Sequence, residues 1–379
     1  MKILLVVNSD IGRKGTIGFR FGKIAEFLKE KNVSFTLIAR SNYQENLKVI
    51  SPFYKNYFSR FLNAIRIYLF PSFFHRKYDV YFFDQFVLNF LKKIDIDFNI
   101  AFFGDYLFRS ISFLKEKKVK IGLDLPMAHP IYHKFLEEKN LFLDEKFKRI
   151  PDFLKKSIEK ADFLVAPSLF VKETLMMAKV EKPIEVVSFG VDLPKNFSEK
   201  EIEKRLKFPL KFIFAGNVNR RKGVNFLLKT WQELNLKEAE LLICGRVYQT
   251  IRKELRKYQL SKVKFLGFVD LDKYFREAHV FVFPTLMEGS AKVVYEAASY
   301  GLPVITTFNA GSVIEDKKSG FIIPIGDVEA LKEKMLYFYE NPQEIVRMGK
   351  NAYNLIKNYS WQKYAQNVFE VLKKYASSK

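Results

Sequence analysis

The feature that most constrains the fold is a double series of short β-branched and aromatic runs, with helix-period stretches between most of them. In the first series the runs fall at residues 2–7, Phe35–Ala39, Val80–Phe83, Ile100–Phe103, Ile121–Leu123, Phe163–Ala166 and Ile184–Val187. Between the first two, apolar residues at Phe21, Ile24, Ala25 and Leu28 predict a helix over Phe19–Lys31. Strands that alternate with helices predict a parallel, doubly wound sheet. A second series runs through Lys211–Ala215, Leu241–Cys244, Val263–Leu266, Val280–Phe283, Val304–Thr306 and Gly320–Ile323. Patterned helices at Val328–Tyr339 and Trp361–Tyr375 close the chain. Gly190–Pro194 and the charged stretch Ser198–Lys207 place a hinge between the two series. A length of 379 residues and a 48% hydrophobic content supply two cores. The expected units are residues 1–195 and 208–359, both Rossmann-like α/β domains facing each other across a cleft.

Composition narrows the function classes. A net charge of +22 invites a polyanion partner such as nucleic acid, an anionic membrane or a phosphorylated substrate. Residues 1–200 hold 34 of the 64 basic side chains and 23 of the 42 acidic ones, so each half carries about the same excess. An even spread argues against a dedicated nucleic-acid arm, and no nucleic acid is expected as a partner. The single cysteine, Cys244, sits in the apolar run Leu241–Cys244 and is expected to be a buried small hydrophobe. One Cys and four scattered His make neither a zinc site nor a Cys-His catalytic pair. The apolar run Ile3–Val7 is too short for a signal-peptide core, and no span reaches membrane-crossing length. A cytoplasmic location is expected.

The chemistry concentrates in Pro284-Thr285-Leu286-Met287-Glu288-Gly289-Ser290-Ala291-Lys292, followed by Glu296 and Gly301-Leu302-Pro303. Strand-like runs flank the segment, so it reads strand, loop, helix, strand. Glu288 then falls at the carboxyl end of a strand, where open parallel sheets bind ligands, and Glu296 falls in the following helix. Small residues at Gly289–Ala291 let backbone amides approach an anion at a helix amino terminus.

This pattern resembles the Glu-x7-Glu motif of the retaining glycosyltransferases of family 4, enzymes of the two-domain GT-B fold. The resemblance implies a nucleotide-sugar donor bound mainly by the second domain and an acceptor entering from the first. It also implies that the last helix crosses back onto the first domain. By it, Glu288 accepts hydrogen bonds from the donor sugar, amides around Ser290, Ala291 and Lys292 hold sugar and diphosphate, and Glu296 takes the ribose hydroxyls. Ala161–Ser168 and Val186–Asp192 also look like segments of that family.

A second phosphate element follows the strand at Phe212–Ala215: Gly216-Asn217-Val218-Asn219-Arg220-Arg221-Lys222-Gly223. A glycine turn before a helix presents N–H groups and a favourable dipole to an anion, and Lys222 adds a full charge. The family has arginine where this chain has Asn217, so charge neutralisation is expected to fall on Lys222, helped by Arg220 or Arg221. In the first domain, Gly15 is a candidate close-approach position, with Thr16 in place of the family's second glycine. Arg20 either reaches phosphate from that loop or is a solvated helix residue. His129, after the strand Ile121–Leu123, is the candidate histidine near the donor sugar. His75, His133 and His279 have no such context.

The implied reaction retains the anomeric configuration. No base and nucleophile pair appears, and leaving-group stabilisation by amides, Lys222 and helix dipoles needs no metal; no cofactor is expected. Residues 46–78 contain no acidic residue, six basic ones and ten aromatics. Within them Tyr54, Tyr57, Phe58, Phe61, Leu62, Ile65, Tyr68 and Leu69 share one helical face. That is the pattern of an interfacial membrane helix and equally of a core-facing one. It suggests a peripheral enzyme on the inner face of the cytoplasmic membrane, acting on a glycan or lipid-linked acceptor in envelope, lipopolysaccharide or other polysaccharide biosynthesis. The alternatives are a basic nucleic-acid-binding protein, or a GT-B relative with other chemistry, such as a sugar-nucleotide epimerase, or with lost activity.

Overall fold

A computed structural model describes residues 1–52, 76–141, 152–258 and 260–377. Two parallel six-stranded sheets organise it. The first contains β1 (Lys2–Ile11), β2 (Ser34–Asn42), β3 (Ile100–Phe103), β4 (Lys120–Asp124), β5 (Phe163–Ala166) and β6 (Ile184–Val186), in the order β2-β1-β3-β4-β5-β6. The second contains β7 (Leu210–Ala215), β8 (Ala239–Cys244), β9 (Val263–Gly267), β10 (Val280–Phe283), β11 (Val304–Thr307) and β12 (Gly320–Ile323), in the order β12-β11-β10-β7-β8-β9. Each order reverses beside its first strand, which creates a crevice at the carboxyl ends of the strands.

The helices of the first unit are α1 (Ile17–Glu30), α2 (Arg76–Leu91), α3 (Phe108–Glu116), α4 (Ile131–Glu138), α5 (Asp152–Lys160) and α6 (Leu169–Met177). Those of the hinge and second unit are α7 (Glu199–Glu203), α8 (Val224–Leu234), α9 (Gln249–Leu255), α10 (Leu271–Glu277), α11 (Lys292–Ser299), α12 (Val328–Glu340), α13 (Pro342–Ile356) and finally α14 (Trp361–Ala376). Strand periodicity assigns the layers. Leu4, Val6, Ala101 and Phe103 pack with α2, α3 and α5. Their neighbours Ile3, Leu5, Ile100 and Phe102 pack with α1 and α14 on the other face.

The run Val80–Phe83, expected as a strand, lies inside α2. Its buried residues Val80, Phe83, Val87 and Leu91 repeat at helical spacing, and a short apolar window does not reveal that period. The helices α5 and α13 also went unassigned in the sequence. The apolar face at Tyr54–Leu69 lies outside the described residues.

Helix α14 returns to the first unit. Trp361 meets Phe19 edge-on with centroids 5.1 Å apart, and Tyr375 stacks on Phe163 at 4.0 Å. Here Arg20 departs from both of its expected roles. Its guanidinium is buried, bonded to Asp124 at 2.7 Å and Tyr364 at 3.3 Å, and lies over the Phe189 ring. It ties α1, β4 and α14 together. The two interdomain passages run side by side: Val191 N–H donates to Tyr359 O, and a Cβ on Gly190 would lie 2.5 Å from Trp361 N.

At the far end of the second sheet, buried His279 joins β7 and β10 to the hinge. Its Nδ1 accepts from Lys211 N–H at 2.9 Å, so Nε2 carries the proton and donates to Arg205 O at 3.0 Å. Burial, reinforced by the Arg205 charge, lowers its pKa to about 4. The unfolded chain therefore binds this proton more readily than the folded one, and the stabilisation present above pH ~6.5 drains away as pH falls toward 4. We predict that wild-type protein loses up to ~3 kcal/mol of unfolding free energy from this group across that window. His279→Gln should show a shallower pH dependence in chemical denaturation; equal slopes in the two proteins would contradict this assignment.

Candidate functional site

The site is built where the loop after β7 meets the loop after β10. Asn219 starts a 3-10 turn over Arg220–Lys222 by accepting from Lys222 N–H at 3.1 Å. Gly223 ends it at φ +71°, a conformation favouring glycine, and an added Cβ would sit 1.9 Å from Pro284 O. The two loops are then stitched together: Arg221 O accepts from Leu286 N–H at 2.8 Å and from Thr285 Oγ1 at 3.0 Å.

That stitching aims two cations at one carboxylate. Glu288 Oε1 receives Arg221 Nη1 at 2.6 Å and Lys222 Nζ at 2.5 Å, and Thr285 Oγ1 lies 3.2 Å from it, its single proton shared with the nearer Arg221 O. Arg221 also donates to Met287 O at 2.8 Å. Burial holds the Lys222 ammonium below the ordinary lysine pKa, against the pull of Glu288 and with a further push from Arg221. Arg221, Lys222 and Glu288 together carry a net positive charge, which suits an anionic ligand. Arg220 instead pairs with Glu254 at 2.9 Å, so Arg221 is the arginine at Glu288.

The other residues singled out in the sequence divide. Ala291 N–H donates to Ala310 O at 2.8 Å, and Gly216 N–H joins the sheet by donating to Cys244 O, so neither amide is free for a ligand. No side chain caps α11, and its first-turn amides at Lys292 and Val293 make no hydrogen bond among the described residues. Ser290 Oγ donates to Tyr295 Oη at 3.1 Å, a phenol pushed up to about 12 by burial. Glu296 lies in the second turn of α11 and pairs with Lys292 at 3.0 Å, each one-third exposed. Asn217 is exposed at the rim, 3.4 Å from Tyr248 Oη.

Gly289 also forms a contact between the domains. A Cβ there would lie 1.7 Å from Pro126 O of the first domain, and Ser168 Oγ donates to Gly289 O at 2.6 Å. Asn309 supports the same seam: its carbonyl accepts from Glu288 N–H, and its Nδ2 donates to Leu286 O and Tyr132 Oη. Leu286 and Met287 pack with Ala128, Tyr132, Leu136 and Phe170 in an apolar cluster between the domains. Thr285, Asn309, Ser168 and Tyr132 were not foreseen. Thr285 was visible inside the motif; Asn309 is brought in by the neighbouring strand β11, and Ser168 and Tyr132 become neighbours only through the domain contact.

The first domain's face of the cleft holds a cavity of about 550 Å³ at the strand ends, lined by Asn8, Arg40, Asp105, Met127 and His129 among others. His129 N–H donates to Thr174 Oγ1 at 2.9 Å, and its Nδ1 accepts from Ile131 N–H at 3.3 Å. Burial lowers its pKa, giving a neutral ring with Nε2–H as donor. Gly15 stands at φ +78° with open space around it, so backbone conformation explains that glycine. Thr16 caps α1 by accepting from Phe19 N–H at 3.3 Å. Gly18, at the start of α1, packs against β1 instead, where an added Cβ would meet Asp10 O at 2.3 Å. Cys244 is buried, its thiol pushed up to about 12, as befits a packing residue.

Comparison with known proteins fits this geometry. Residues 209–341 match the family model of glycosyl transferases group 1. An uncharacterised glycosyltransferase of Methanocaldococcus jannaschii is 24% identical over 82% of this chain and 85% of its own. A putative colanic acid biosynthesis glycosyltransferase of Escherichia coli is 26% identical over 45% of each chain. Among solved structures, Anabaena HepE in complex with UDP superposes with a TM-score of 0.68 at 16% identity, over 99% of this chain and 100% of that one. The chain has the GT-B architecture, and residues 209–341 carry the match to the group 1 glycosyl transferases.

Removing Glu288 leaves two cations in a poorly hydrated pocket. We predict that Glu288→Ala destabilises the protein by about 3 kcal/mol, and that adding Lys222→Met recovers part of the loss. Denaturant titration of the two singles and the double measures the coupling; strictly additive effects would contradict the pairing.

Proposed function

We propose that this enzyme transfers a glycosyl group from a nucleotide sugar to a glycan or lipid-linked acceptor, with retention at the anomeric carbon. The observation that carries the reading is the convergence of Arg221 and Lys222 on Glu288, beside the uncapped start of α11 and across from the first domain's cavity. A sugar diphosphate has complementary parts: an anion for the cations and amides, and hydroxyls for carboxylates. In this reading the diphosphate draws Lys222 and Arg221 toward itself. Glu288, relieved of part of its pairing, accepts from the sugar, and Glu296 exchanges Lys292 for ribose hydroxyls.

Catalysis then rests on the leaving group. As the glycosidic bond breaks, negative charge grows on the departing phosphate, and fixed donors in a water-poor site stabilise it. Lys222 is suited to this because its largely buried ammonium interacts more strongly with an added anion than it would in water. The acceptor hydroxyl attacks from the same face as the leaving group departs and passes its proton to the departing phosphate oxygen, while neutral His129 donates to the sugar through Nε2–H. Among the described residues no cluster of three metal-ligating side chains occurs, and the two cations are proposed to take over diphosphate neutralisation.

The named role of the Escherichia coli relative in colanic acid biosynthesis supports an acceptor in envelope polysaccharide assembly. No described helix is long and apolar enough to cross a membrane. Attachment to the inner membrane face through the basic, aromatic stretch 46–78 is proposed; cosedimentation with anionic vesicles at low salt tests it, and absence of binding would end it.

UDP-, GDP- or ADP-sugars are expected to raise the melting temperature, because a ligand that binds only the folded form stabilises it. With the matching donor, Lys222→Ala should lower kcat by about 10²- to 10³-fold. Product NMR should show a retained anomeric configuration, and a chelator should leave turnover unchanged. Inversion, or activity lost to chelator and restored by a divalent ion, would overturn the mechanism.

A further inference from the structure

Two hollows on the first domain share a wall. Tyr106 and Phe153 line the cavity at the strand ends, and the same two side chains line an apolar groove of about 480 Å³ beside α2 and α3. The rest of the groove's described lining is almost wholly hydrocarbon and aromatic: Val80, Tyr81, Phe82 and Phe108, with Asp84 and Arg109. Phe82 is 62% exposed and Tyr81 46%. Neighbouring aromatics left this open mark a contact surface more than a packing accident.

The charged groups in the groove are already committed. Asp84 accepts from the N–H groups of Arg109 and Ser110 and from Ser110 Oγ, securing the start of α3, and burial raises its pKa. The Arg109 guanidinium lies 4.3 Å from the Tyr81 ring centre and donates to Gln85. Leading away from the cleft, the surface therefore changes from a cavity bearing Asn8, Arg40 and Asp105, through the Tyr106–Phe153 threshold, to a hydrocarbon trough edged by one arginine.

That sequence of environments matches an amphiphile. Resting on the transfer reading above, we infer that the acceptor carries a hydrocarbon chain, whose first segment lies in the Tyr81–Phe82–Phe108 groove while its sugar occupies the cavity. The continuity of the two hollows selects this occupant: a ligand reaching the groove from the cavity has a polar head at the cleft. The groove thereby distinguishes lipid-linked from free glycan acceptors.

Methyl, n-hexyl and n-octyl β-glucosides, used below their micelle concentrations, test this by calorimetry. Burial of each methylene should tighten binding about fourfold, so octyl should bind about 15-fold tighter than hexyl. The double variant Tyr81→Ser, Phe82→Ser, which alters exposed side chains only, should flatten that gradient. A flat series with wild-type protein, or an unchanged gradient in the variant, would overturn the inference. So would a wild-type dimer in sedimentation that the variant abolishes, since the groove would then cover a second copy. Thermal stabilisation by UDP, measured on the same samples, separates the two readings. Stabilisation without a chain-length gradient defeats the groove alone; a gradient with no stabilisation by any nucleotide or nucleotide sugar defeats the acceptor assignment together with the transfer reading.

Discussion

Glu288 holds two cations that would otherwise repel each other in a poorly hydrated pocket, and the local architecture is arranged around that fact. Arg221 and Lys222 reach it only because Gly223 turns the chain at positive φ against Pro284 O. Thr285 and Leu286 secure the approach by donating to Arg221 O. The ion cluster is thus a joint between the ends of β7 and β10 and also a reservoir of positive charge. A ligand with two negative phosphates can compete for the cations because Glu288 supplies only one negative charge to two positive groups.

The same loop is where the two domains touch. Gly289 fits under Pro126 O, Asn309 reaches Tyr132, and Leu286 and Met287 fill an apolar seam with residues of α4 and α6. Hydrocarbon contact next to a charge cluster lowers its exposure to water, which strengthens each electrostatic interaction within it. On the other side of the first sheet, Arg20, Asp124 and Tyr364 lock the returning helix α14 in place. The side-by-side passages at Val191 and Tyr359 then give the domains a short double connection.

Much of this could be read from residues that act locally. The runs of β10 and β12 matched their strands residue for residue, because buried parallel strands show as continuous apolar segments with sharp ends. Val80–Phe83 misled because four apolar residues fit a strand or one helical turn equally well. The Glu288 and Lys222 elements were visible as motifs, while their direct contact was not, since sequence separation hides what strand order brings together. Arg20 shows the same limit from the other direction: a basic residue near a glycine loop looks like a phosphate ligand until its buried partner Asp124 is seen. The contact of Gly289 with Pro126 was not legible in the sequence, because that neighbour lies on the other domain.

We propose that the Arg221–Lys222–Glu288 cluster seats the donor diphosphate. A crystal structure of the protein with UDP tests it most directly. β-Phosphate oxygens should lie within hydrogen-bond distance of Lys222 Nζ and of the first amides of α11, with Lys222 drawn away from Glu288 and Glu296 on the ribose. UDP bound elsewhere, with the Lys222–Glu288 pair undisturbed, would contradict it.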